Sequence, residues 1–247
     1  MHIAVFGAAG WVGRAVIQNL QDRHSFCAID RSPESWQTYQ DVDGDGPEEK
    51  VHADIIDYNA VDACLDGADA VIHTTVYGGP HSTDNQEPFL VNLKGLWNVL
   101  EAARQRGIKR VVHIGSCQVV HPKGIYFTPD IRRPDGDLYA VTKRLQEEMC
   151  RQFYDAFSLS IAVMRPCSII DSRLGIGKNR APLSGWSESW VCRHDLAEAC
   201  RLAAEADNLG FEIFHTAGAP EAAKHCNSDR LSQVLDFTYR GDIERFR

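Results

Sequence analysis

Tyr139 and Lys143 stand four residues apart in the run Tyr139-Ala140-Val141-Thr142-Lys143. In a helix that spacing puts a phenol and an ammonium one turn apart on the same face. An isolated phenol titrates near pH ~10, too high for a base at neutral pH. A neighbouring ammonium favours the phenolate and lowers that value, so the pair can take a proton from a substrate hydroxyl. Ser116 follows the apolar run Val111–Ile114 and so belongs at the C-terminal end of a strand, where its hydroxyl can donate to a substrate oxygen. The spacing alone is also compatible with a packed ring and a wet hydroxyl on an amphipathic helix. Its neighbours along the chain decide.

The decisive neighbour is the run Gly7-Ala8-Ala9-Gly10-Trp11-Val12-Gly13, which follows Ile3-Ala4-Val5-Phe6 and opens a segment with helical periodicity (Val12, Val16, Leu20). Glycines at a strand-to-helix turn let the backbone approach a pyrophosphate, and the helix start offers unpaired N–H groups there. The next apolar run, Phe26–Ile29, ends on Asp30, an acid placed to accept hydrogen bonds from an adenosine ribose. These signals predict a bound dinucleotide. Asp30 favours NAD over NADP because its carboxylate repels a 2′-phosphate, whereas the guanidinium of the adjacent Arg31 could accept that phosphate. Asp54, ending the third strand, is expected on the adenine side. Trp11, Val12, Ile55, Thr74 and Thr75 complete the expected cofactor contacts, and Asn92 is expected to fix backbone near the active site.

The elements that must position these groups alternate. Strands are predicted at 3–6, 26–30, 51–53, 70–76, 110–115, 160–165 and 211–216, and helices at 11–21, 58–65, 89–106, 138–157 and 194–206. This is the pattern of an α/β Rossmann-type fold, a doubly wound parallel sheet with right-handed crossovers. Residues 1–166 are expected to form the dinucleotide-binding core. Residues 167–247 are expected to form a small substrate-binding portion interleaved with the last strand and helix. Long loops at 77–88, 116–137 and 167–189 follow strand C-termini, where ligands sit in open α/β sheets. The acidic stretch Asp41–Lys50 reads as a solvated loop, and the tail Ser228–Arg247 as a segment docked on the body.

Composition narrows the partners. A net charge of −8 with no basic cluster argues against nucleic acid. No apolar run approaches membrane-spanning length, and the first strand begins at residue 3, which leaves no room for a signal peptide. Eight cysteines without a Cys-x-x-Cys pair suit reduced thiols in a cytoplasmic protein, and ten histidines without ligand spacing give no reason to expect a metal.

The ordered set Gly-x-x-Gly-x-x-Gly, Asp30, Asp54, Val71-Ile72-His73, Asn92-x-x-Gly95-x-x-Asn98, Ser116, Tyr139-x-x-x-Lys143, Arg165-Pro166 resembles the extended short-chain dehydrogenase/reductases. This group is also called the NAD-dependent epimerase/dehydratase family, and the resemblance runs from residue 3 to about 216. It is most similar to the short members of uronate dehydrogenase type, through Pro129-Asp130, Arg133–Gly136, Phe153-Tyr154-Asp155 and Trp190–Leu196. The resemblance implies Tyr139 as catalytic acid or base, Ser116 as the group orienting substrate, and Lys143 on the nicotinamide ribose. It implies NAD-dependent oxidation of a hydroxyl, the C1–OH of a free sugar or uronic acid. Ser168 matches a substrate-contacting serine. Cys117-Gln118 departs from that subgroup's Asn-His pair at a substrate-touching position. Arg173 and Arg180 are the candidates for a clamp on a uronate carboxylate. A sugar epimerase or dehydratase that retains NAD, and a non-catalytic dinucleotide sensor, are the alternative readings. Helices 89–106 and 138–157 form a homodimer face in many relatives of this type.

Overall fold

The computed structural model describes residues 1–80, 82, 84–119 and 136–247. Among these, the strands are β1 (His2–Phe6), β2 (Ser25–Asp30), β3 (Val51–His52), β4 (Ala70–His73), β5 (Arg110–Ile114), β6 (Ser160–Pro166), β7 (Ser168–Asp171), β8 (Ile176–Gly177), β9 (Trp190–Cys192) and β10 (Phe211–Thr216). The helices are α1 (Trp11–Leu20), α2 (Gln40–Asp43), α3 (Tyr58–Cys64), α4 (Glu87–Phe89), α5 (Gly95–Gln105), α6 (Leu138–Phe157), α7 (Arg193–Glu205) and α8 (Arg230–Leu235). A π-helical turn, Leu90–Lys94, joins α4 to α5 within the span predicted as one helix.

Seven parallel strands run in the order β10-β6-β5-β4-β1-β2-β3. Their side chains alternate between two cores. Ile3, Val5, Ile72, Val112, Ile114 and Met164 meet α1 and α7 on one face. Ala4, Phe6, Val71, Val111, Ile161 and Val163 meet α3, α5 and α6 on the other. Burial on both faces explains why these strands are continuously apolar rather than alternating. The chain reverses direction across the sheet between β1 and β4, which opens the crevice at the strand C-termini.

Two expectations change. The stretch predicted as loop 167–189 contains β7 and β8, which with β9 form a separate three-stranded sheet in the order β8-β7-β9. These strands are too short and too interrupted to leave a periodic signal. The acidic stretch is not wholly solvated: the Asp43 side chain is buried against Arg193. The carboxylate tolerates burial because it is paired and hydrogen-bonded.

The tail packs down as expected. Phe237 and Ile243 are buried, the backbone N–H groups of Arg240 and Gly241 donate to the Asp195 carboxylate, and Phe246 meets Trp190 edge-on. Among the described residues no helix is long and apolar enough to cross a membrane, and no group of three histidine, cysteine or acidic side chains could hold a metal ion.

Candidate active site

The glycine turn is built for close approach. Gly7 has φ +79°, and a Cβ there would lie 2.7 Å from Thr74 Oγ1 and 2.8 Å from Thr75 N. A Cβ on Gly13 would overlap the Gly7 carbonyl. Gly10 precedes α1 without any side-chain cap, so the first N–H groups of the helix are left for a ligand. Asp30 closes β2 beside this turn; its carboxylate accepts from Ala9 N at 3.0 Å and Arg31 N at 2.8 Å. Arg31 itself is exposed. Thr74 Oγ1 donates to the carbonyls of Phe6 and Gly7. Trp11 and Val12 are buried, and the Trp11 indole N–H donates to Ile169 O, tying the turn to the small sheet. These residues fit a dinucleotide: a cradle that no side chain can fill, unpaired helix-start N–H groups, and an acid fixed against the turn at the end of the next strand.

Asn92-x-x-Gly95-x-x-Asn98 is explained by four contacts. Asn92 is fully buried; its Oδ1 accepts from Tyr77 N at 2.8 Å and its Nδ2 donates to Thr142 Oγ1 at 3.0 Å. Gly95 lets α5 close on Ile55, where a Cβ would be 2.7 Å from a side-chain methyl. Asn98 Nδ2 donates to Ile55 O at 2.8 Å. The motif therefore fixes Ile55 beside Asp54, whose Oδ1 accepts from Ile56 N, and it locks α6 at Thr142 to the π-helical turn that leads into α5.

The catalytic candidates converge. Asp137 caps α6 by accepting from Ala140 N at 2.8 Å, which sets the helix start one turn before Lys143. Tyr139 hydrogen-bonds Ser116 across the gap between α6 and the end of β5. Lys143 is buried and donates to Ile114 O at 2.9 Å, two residues before that serine. The expected lowering of the phenol pKa is not what the protein alone produces. Burial pushes Tyr139 upward and outweighs the opposing Ser116 hydrogen bond. Lys143 shifts too: burial lowers it to about 7.

Around Ser116 the fold gathers several of the predicted substrate residues. Gln118 N donates to Ser116 Oγ at 3.2 Å. Cys117 is buried in a cluster with Ala217, Ala222 and Cys226 that Cys167 packs against, and Ser168 follows Cys167 directly. Neither arginine joins them. Arg180 pairs with Asp41 at 2.6 Å, donates to Thr38 O and lies over the Tyr39 ring. Arg173 lines a surface depression with Gln18, Asn19, Asp22, Arg23 and His194, at the end of α1 remote from the glycine turn. Residues 129–135 of the predicted approach to α6 lie outside the described residues.

Sequence reasoning missed the buried supports: Arg14, Arg193 with Asp43 and Asp171, and Glu147 with Arg165. Arg165 appeared in the motif order, and its partner at 2.7 Å (Nε to Glu147 Oε2) stands four residues beyond Lys143, a spacing that could have flagged it.

A family model, that of the NAD dependent epimerase/dehydratase family, matches residues 3–217. The chain belongs to this family. Within the NAD-dependent epimerase/dehydratase family it is 32% identical to a uronate dehydrogenase of Agrobacterium fabrum over 231 residues, covering 92% of this chain and 80% of the relative. An NAD-dependent glucose-6-phosphate dehydrogenase of Haloferax volcanii is 26% identical, covering 97% of each chain. Among solved structures, a uronate dehydrogenase from Agrobacterium tumefaciens, a tyrosine-to-alanine mutant complexed with NAD, superposes with a TM-score of 0.78. It is 27% identical and covers 100% of this chain and 87% of that one.

Proposed function

We propose that this chain is an NAD-dependent dehydrogenase that oxidises the C1 hydroxyl of a free uronic acid to the lactone. The observation that carries the reading is the Ser116–Tyr139 hydrogen bond with a buried Lys143 one turn further along α6, in a family member similar to uronate dehydrogenases over most of its length. Ser116 donates to the substrate oxygen and Tyr139, as phenolate, takes the hydroxyl proton. NAD supplies the hydride acceptor when bound, so the sugar loses one proton and one hydride and gains a C1 carbonyl. Lys143 holds positive charge beneath the phenolate and beside the nicotinamide ribose. Gln118 and Ser168 are the polar groups that reach the sugar, and residues 167–247 supply the substrate-binding portion.

Absorbance of NADH, followed with glucuronate, galacturonate and neutral aldoses against NAD and NADP, tests this. Turnover on a uronate with NAD supports the proposal. NAD retained through purification with no net NADH release would replace it with an epimerase-type reaction.

We also infer a homodimer through α5 and α6. Phe89, Trp97, Val141, Leu145 and Phe157 leave large apolar side chains exposed on this pair of helices and the turn leading into it. Leu145→Glu shifts the dimer to monomer in sedimentation if that face pairs. We place the chain in the cytoplasm on its eight cysteines without a Cys-x-x-Cys pair, which suit reduced thiols.

A further inference from the structure

His73 ends β4 and His113 is the penultimate residue of β5; the two are register partners. Their Nδ1 atoms are 3.0 Å apart and neither residue has any exposed surface. Alternation along the strands puts both, with Val71 and Val111, on the face that α5 and α6 cover. A hydrogen bond between two Nδ1 atoms requires that one carry the proton and the other not. Burial holds both imidazoles neutral: His73 is lowered to about 3 and His113 moves the same way, each pushed further by Lys143. A neutral ring has a single N–H. The ring that donates at Nδ1 therefore has a bare Nε2, and the ring that accepts carries its proton at Nε2. Both Nε2 atoms are buried without another hydrogen bond. The pair has an acceptor end and a donor end, and two tautomeric arrangements that exchange them.

Lys143 reaches the same strand end, its Nζ donating to the carbonyl of Ile114, the residue after His113, and its charge acts on both imidazoles. The titratable groups around it are Tyr139, Glu147 and Cys150 from α6, His73 from β4, His113 from β5 and Arg165 from β6. Glu147 is compensated by Arg165, and burial keeps the Cys150 thiol protonated. That leaves the two imidazoles as the groups whose proton arrangement can answer the ammonium. We propose that His73 and His113 form a tautomeric dipole that stabilises the Lys143 ammonium in its dry site, making them a positioning pair for the proposed reaction. A bare Nε2 toward the cation is favourable and an N–H end is not, so charge on Lys143 selects one arrangement. By linkage, that arrangement keeps Lys143 charged. The inference rests on the proposed function only for what Lys143 serves; the tautomer bias belongs to the protein itself.

Nitrogen-15 NMR of imidazole-labelled protein reads the tautomers directly. One ring is expected as the Nδ1–H tautomer and the other as the Nε2–H tautomer, each dominant, with the pattern becoming mixed or inverted in Lys143→Met. An unchanged single pattern in Lys143→Met overturns the proposal. In a second arm, the double variant His73→Phe/His113→Leu moves the alkaline limb of kcat, set by loss of the Lys143 proton, down by about one pH unit. His113→Gln, which keeps a donor and an acceptor, restores part of that shift. A limb that stays put while thermal stability falls would make the pair merely structural. If no sugar is oxidised, the NMR comparison alone decides, and its result stands apart from the failure of the dehydrogenase reading.

Discussion

Arg193 clasps Asp43 with both terminal nitrogens, each 2.7 Å from a carboxylate oxygen, while its Nε holds Asp171 at 2.7 Å. The guanidinium lies 4.1 Å from the Trp11 ring centroid. One side chain from α7 thus joins the segment beyond Asp30, the small sheet at β7 and the start of α1. This buried cation, together with the hydrogen bond from the Trp11 indole to Ile169 O, ties the glycine-turn helix to the small sheet.

Removing Asp43 strips two charge-assisted hydrogen bonds, worth about 1.5–3 kcal/mol each, from a buried guanidinium that Asp171 then holds alone. Asp43→Ala is therefore expected to lower the melting temperature by roughly 6–20 °C for a chain of this size. Differential scanning calorimetry checks it. A fall below 2 °C would mean that the clasp contributes no more than an exposed pair.

Tyr139→Phe keeps the ring and removes the group that exchanges the proton. NADH formation is expected to fall by about 10²–10⁴-fold, the usual worth of a positioned acid–base group, with the melting temperature unchanged. Retained turnover would remove Tyr139 from the mechanism.

The sheet and its helices were legible because strands buried on both faces and helices of three or more turns leave unmistakable periodicity. α6 runs over Leu138–Phe157, as its pattern predicts. The glycine turn, Asp30, Ser116, Tyr139 and Lys143 were legible for a different reason: each occupies a place fixed by a strand end or a helix face. What escaped depends on long-range pairing. Nothing near Asp43 in sequence shows that Arg193, 150 positions away, will bury it. The sign of the Tyr139 shift escaped too, because burial outweighs the Ser116 hydrogen bond that opposes it, and burial is set by segments far along the chain.

Asp30 is expected to govern cofactor choice. Its carboxylate is fixed by Ala9 N and Arg31 N, so it cannot swing away from a 2′-phosphate. A hydrogen bond to a charged group contributes about 1.5–3 kcal/mol, so Asp30→Ala should reduce the NAD over NADP preference by roughly 10–100-fold in kcat/KM. An unchanged ratio would place the discrimination elsewhere.

Arg180 and Arg173 supply a test by indifference. Arg180 is engaged by Asp41 and Arg173 lines the depression at the far end of α1. Alanine at either position is expected to leave KM for a uronate within about twofold, against the order-of-magnitude loss that removal of a bidentate carboxylate contact brings. A tenfold rise in KM at either site would restore that arginine as the clamp.

Burial of Lys143 also leaves a mark on stability. Its folded pKa of about 7 lies below the unfolded value near ~10.4. Between these values the unfolded chain holds a proton that the folded chain lacks, so stability rises with pH across that window. Below pH 7 both states are protonated and the full cost of burying the ammonium is present. Lys143→Met removes that cost, so it should stabilise the protein most below pH 7, by up to a few kcal/mol. The advantage over the parent chain should shrink steadily toward pH 10. Urea denaturation of both chains at pH 6, 8 and 10 measures the difference. A constant difference across the three would show that Lys143 keeps an ordinary pKa in the folded protein.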